Sequence, residues 1–66
     1  MTALGAWRQR MGWTQREAAA ALDVTLQTYQ RWENERRLDG SHLPPPRTAL
    51  LAAAALEQGI KPLQNL

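Results

Sequence analysis

Seven of the eight basic residues in this 66-residue chain are arginine, and six of them, Arg8, Arg10, Arg16, Arg31, Arg36 and Arg37, fall within residues 8–37. A guanidinium presents planar, forked donors that match a phosphate group or a guanine edge. Leu26, Gln27, Gln30, Arg31 and Asn34 form one stripe when the segment is projected as a helix at about 100° per residue. The stripe carries amides and a guanidinium but no acid. Such groups direct hydrogen bonds; they do not make or break covalent bonds. One histidine, His42, no cysteine, no paired carboxylates and no glycine-rich phosphate loop argue against an enzyme. No cofactor is implied, and His42 has no second ligand near it to make a metal site. The net charge of +2 and a pI near 9.9 fit a polyanionic partner.

The elements that must hold this stripe are helical. A first helix is predicted over Thr2–Met11, stopped by Gly12. Thr14-Gln15-Arg16-Glu17 is a capping box that opens a second helix, and Ala18 to Ala21 continue it. Asp23 breaks the pattern, and Thr25 caps a third helix that runs to about Glu35. Residues 38–46 read as a loop, with Asp39-Gly40-Ser41 as a turn and Pro44-Pro45-Pro46 unable to sit inside a helix. A fourth helix starts near Pro46 and ends at Gln58-Gly59. The expected fold is all-α, a compact bundle of four to five helices, with residues 1–59 as one domain and 60–66 as a tail.

So short a chain buries only about 60% of its unfolded surface, and three tryptophans must supply much of the core. On the first helix Leu4, Trp7 and Met11 share a face with Arg8. A charge on an apolar face needs a partner. Glu33, at the boundary of the third helix, is the expected one. The fourth helix is apolar almost all round, through Leu50, Leu51, Ala53, Ala54, Ala55 and Leu56. One side is expected on Trp7 and Trp32; the other either meets a partner chain or stays exposed as a small-residue surface.

From Trp13 to Arg37 the chain resembles the lambda-repressor-like helix-turn-helix of the Cro and XRE family of phage and bacterial regulators. The resemblance is carried by Thr14-Gln15, Glu17, Ala19, Leu22, Val24, Thr25 and Trp32-Glu33 in register, and it covers about residues 4–37 well. It implies that Ala19 lets two helices cross closely while the outward face of the third helix enters a major groove about 12 Å wide. Three departures stand out. Asp23 occupies a turn position usually held by Gly, and Glu35 another. Ala18 replaces a usual Leu while Tyr29 replaces a usual Ile or Val, which suggests a volume exchange within one core.

The resemblance also assigns roles. Leu26, Gln27, Gln30 and Arg31 are expected to contact bases: glutamine on adenine, arginine on guanine or phosphate, leucine on a thymine methyl. Gln15, Arg16, Thr25, Asn34, Arg36 and Arg37 are expected at phosphates, although Arg16 could equally be a solvated charge. The implied partner is double-stranded operator DNA, bound by a homodimer on half-sites about 34–36 Å apart. Leu51, Ile60, Leu63 and Leu66 are the expected dimer contacts, unless the tail folds back on its own core. A transcriptional repressor or autoregulator of phage or mobile-element type is the implied function. The rivals are an antitoxin-type adaptor gripping a protein partner through the Ala-rich helix and tail, and the targeting domain of a recombination factor. No membrane segment or leader is evident, so a cytoplasmic, nucleoid-associated location is expected.

Overall fold

A computed structural model of the chain describes residues 2–35, 41–42 and 44–61. They form four helices: α1 (Ala3–Met11), α2 (Gln15–Ala21), α3 (Leu26–Asn34) and α4 (Arg47–Glu57). The protein is all-α. Arg36, Arg37, Leu63 and Leu66, each singled out by sequence, lie outside the described residues.

Three threonines start three of the helices. The hydroxyl of Thr2 accepts from the Gly5 amide at 3.1 Å, that of Thr14 from Glu17 at 3.1 Å, and that of Thr25 from Thr28 at 3.1 Å. At α2 the box is reciprocal, since the Thr14 amide donates to Glu17 Oε1 at 2.9 Å. Each cap satisfies a donor that the first turn would otherwise leave open. Pro46 stands at the α4 N-cap, with no side-chain cap. It has no N–H to donate, and its backbone preference suits the entry.

The helix ends use the left-handed backbone. Gly12 (φ 73°) and Gly59 (φ 76°) adopt it without steric cost; Asp23 (φ 59°) and Glu35 (φ 53°) adopt it as well, against the strain of a Cβ. Asp23 ends α2: its amide donates to the Ala20 carbonyl at 3.1 Å, and the Val24 amide reaches back to Ala19 at 3.0 Å. Aspartate tolerates this conformation better than most residues, yet still less well than glycine. Asp23 is exposed. Asp23→Gly is therefore expected to raise stability by roughly 0.5 kcal/mol, or ~2–4 °C in Tm, by thermal melting. A lower Tm would mean that the aspartate side chain supports the turn.

Leu4, Trp7, Ala18, Ala19, Tyr29 and Ala53 form the buried core. Met11, Trp13, Leu22, Val24, Trp32 and Leu56 close around it. Trp7 and Trp13 meet edge to face, with ring centroids 5.7 Å apart and planes at 89°. Helix α3 packs on α2 and α1, while α4 packs on α1. Ala49 and Ala53 face inward on α4; Leu50 (38%), Leu51 (60%) and Ile60 (56%) remain exposed.

Candidate nucleic-acid interface

The interface is built on α2, the turn at Leu22–Asp23 and α3. Ala19 is buried at 3% exposure, and Ala18 and Tyr29 at 0%. With no side chain beyond Cβ at residues 18 and 19, α2 can approach its neighbours closely. The Tyr29 ring lies in the same core as both alanines. Its hydroxyl donates to the Leu4 carbonyl at 3.4 Å, fastening the middle of α3 to the start of α1. Burial pushes the Tyr29 phenol well above its ordinary range, and the neighbouring Glu33 carboxylate pushes it further.

Arg8 and Glu33 lock α1 to α3. The guanidinium donates through Nε to Glu33 Oε2 at 2.9 Å and through Nη2 to Oε1 at 3.0 Å. This is the forked geometry that makes arginine–carboxylate pairs strong and directional. A third donor, Nη1, reaches the Trp13 carbonyl at 3.0 Å. The Glu33 side chain is only 11% exposed and that of Arg8 22%. Burial works to raise the Glu33 carboxyl, but the hydrogen bonds from Arg8 and Gln15, with the Tyr29 hydroxyl nearby, outweigh it and hold the group below the usual carboxylate range. The same pairing raises the Arg8 pKa further.

The outward residues of α3 divide by exposure. Gln27 and Asn34 are exposed; Leu26, Gln30 and Arg31 are half-buried. Arg31 makes no hydrogen bond or ion pair among the described residues. Thr25 accepts from the Thr28 amide and donates to the Thr28 hydroxyl at 2.9 Å, so its oxygen is already engaged within the helix start. Gln15, half-buried at the first position of α2, donates through Nε2 to Glu33 Oε1 at 3.3 Å. It also accepts through Oε1 from Gln30 Nε2 at 3.2 Å. Arg16 is exposed beside it.

Three contacts have no signature in the sequence. The Trp13 carbonyl under Arg8 lies five residues on, past the turn at Gly12, and the Gln15–Gln30 link depends on how α2 and α3 face one another. Arg10, unassigned by sequence, pairs with Glu57 through Nε at 2.6 Å and Nη2 at 3.0 Å, joining α1 to the end of α4. His42, expected as a plain loop residue, places Nε2 2.9 Å from Glu35 Oε2. Among the described residues no cluster of three or more His, Asp or Glu could hold a metal ion. No helix among them is long and apolar enough to cross a membrane.

Two short helices capped by threonine, joined at a left-handed turn and held at a fixed angle by a small-residue contact, define a helix-turn-helix protein. A Helix-turn-helix family model matches residues 4–58, and the chain belongs to that family, of the Cro and XRE type. It is a DNA-binding family and not typically an enzymatic one. No curated protein and no solved structure matches the chain.

Proposed function

We propose that the protein is a sequence-specific transcriptional regulator, a repressor or autoregulator, that inserts α3 into the major groove of a near-palindromic operator as a homodimer. The observation that carries this reading is the acid-free outward stripe of α3, with Gln27 exposed and Arg31 without a hydrogen bond or ion pair among the described residues, in front of a scaffold locked from behind. Leu26, Gln27 and Arg31 read base edges. Gln30 shares the stripe, but its amide already holds Gln15. Gln15, Arg16, Thr25, Asn34, Arg36 and Arg37 lie against phosphates. The Glu35 carboxylate, which would repel phosphate, is faced by His42.

One recognition helix reads too few base pairs for specificity, so two copies act together. Exposed Leu51 and Ile60 supply the apolar surface of a two-fold interface, to which the sequence adds Leu63 and Leu66. The same exposure favours one other reading, an adaptor that grips a different protein through α4. Sedimentation separates the two: a chain that stays monomeric both free and on DNA rules out the homodimer.

Selection of bound duplexes from a random pool tests the main reading. Gln27→Ala is expected to lower the preference for the selected operator by roughly 1–3 kcal/mol. Arg36→Ala is expected to weaken binding to all duplexes alike and to reduce the salt slope by about one. Both are measured by gel shift on selected and random DNA at two salt concentrations. Equal losses on both DNAs from both variants would overturn the division between base and phosphate contacts.

A further inference from the structure

We infer that Gln30 is a positioning residue: its amide fixes the orientation in which Gln15 meets the DNA backbone, so Gln30 governs affinity for every duplex and not the choice of base. This rests on the reading of Gln15 as a phosphate contact. It departs from the role the sequence resemblance assigns to Gln30.

The polarity of the hydrogen-bond chain carries the inference. An ionised carboxylate only accepts, and both Glu33 oxygens already take an N–H from Arg8. The Gln15 atom that faces Glu33 must therefore be its nitrogen, at 3.3 Å. That sets Gln15 Oε1 on the opposite side, where only a donor can satisfy it. Gln30 Nε2 stands there at 3.2 Å. The order runs from Arg8 to Glu33 to Gln15 to Gln30 with no ambiguity about which amide end lies where. Gln15 keeps one N–H outside this chain, and its direction is set because the other amide positions are used.

A free glutamine side chain samples many rotamers, and ordering it on binding is unfavourable. Holding it beforehand strengthens binding without adding a contact. A base-reading Gln30 and a positioning Gln30 thus predict different patterns. Loss of a reader changes the ranking of operators at one base-pair position. Loss of a positioner lowers affinity for all of them and gives no further loss once Gln15 itself is removed.

The test uses the full chain with Gln30→Met, Gln15→Met and the double variant, titrated against the selected operator and its single-base-pair substitutions. Met keeps the length and helix preference of Gln but donates nothing. Gln30→Asn, one methylene shorter, keeps an amide out of reach of Gln15 and serves as a second variant. Each Gln30 variant is expected to weaken binding roughly 2- to 12-fold on every duplex, leaving their ranking unchanged. The double variant is expected to match Gln15→Met. A reordering of duplexes at one position, or losses that multiply in the double variant, overturns the inference.

A DNA-free measurement runs beside it. The Gln15 side-chain amide signals in NMR spectra of nitrogen-15-labelled protein should shift and gain mobility in both Gln30 variants. Unchanged signals overturn the inference as well. A wild-type chain with no preference among duplexes would instead overturn the proposed function, while the amide spectra still decide whether Gln30 orders Gln15.

Discussion

Tyr29→Val is expected to lower the unfolding free energy by about 3 kcal/mol, close to half of what a chain this size possesses. Tyr29 is fully buried, and its ring and hydroxyl tie α3 to the core and to the Leu4 carbonyl. Valine would leave a cavity that the short helices cannot close, and it would lose the hydroxyl contact. Ala18→Leu alone is expected to cost roughly 1–3 kcal/mol, because Ala18 is equally buried and has no room to grow. The informative protein is the double variant. If the ring occupies the space that a larger residue at position 18 would fill, Ala18→Leu restores at least about 1 kcal/mol to Tyr29→Val. Denaturant melts of the four proteins measure this coupling. Strictly additive losses would show that the two side chains do not share a space.

Glu33→Ala has an expected cost of roughly 2–4 kcal/mol. That range lies between the loss of hydrogen bonds to a charged group and the removal of one partner from a fully buried pair. The truncation leaves Arg8 with the Trp13 carbonyl alone and Gln15 without its acceptor. Glu33→Gln, which retains one acceptor oxygen, is expected to cost less. Acid should reproduce part of the effect. The Glu33 carboxyl has a folded-state pKa below its ordinary value of 4.5, because its hydrogen bonds outweigh burial. Its contribution is thus present above about pH 5 and is lost as pH falls through the lower, folded-state value. Glu57, held low by Arg10, acts with the same sign but is solvent-screened and should respond to salt. Chemical denaturation from neutral pH to about pH 3 is expected to give a plateau and then a decline, with a shallower decline in Glu33→Ala. A wild-type profile that rises on acidification would contradict this assignment.

What the sequence makes legible here is local. Thr2, Thr14 and Thr25 announce helix starts because capping involves residues only three apart, and Gly12 and Gly59 mark ends because their backbone freedom is intrinsic. The need of Arg8 for a partner follows from its place on an apolar face. The atoms that join that partnership do not follow. The Trp13 carbonyl and the Gln15 amide come together only when three separate segments meet, and a helical projection treats each helix alone. Gln30 illustrates the same limit: its outward register is visible in the sequence, but its hold on Gln15, fifteen residues earlier, is not. Helix α4 is apolar almost all round, so periodicity could not rank its sides. The structure turns Ala49 and Ala53 toward α1 and leaves Leu50 and Leu51 outside.

That choice of alanines has an evolutionary corollary. The unit of α1, α2 and α3 is held by Tyr29, Ala18, Ala19 and the Arg8–Glu33 fork, none of which belongs to α4. Helix α4 is attached to that unit chiefly through α1, by the small side chains of Ala49 and Ala53, the partly buried Leu56 and one exposed ion pair. Within one copy, mutations at Leu50, Leu51 or Ile60 can therefore accumulate without perturbing how α3 is held on α1 and α2, whatever they do to an interface between copies. The two surfaces of the molecule are free to drift under separate selection.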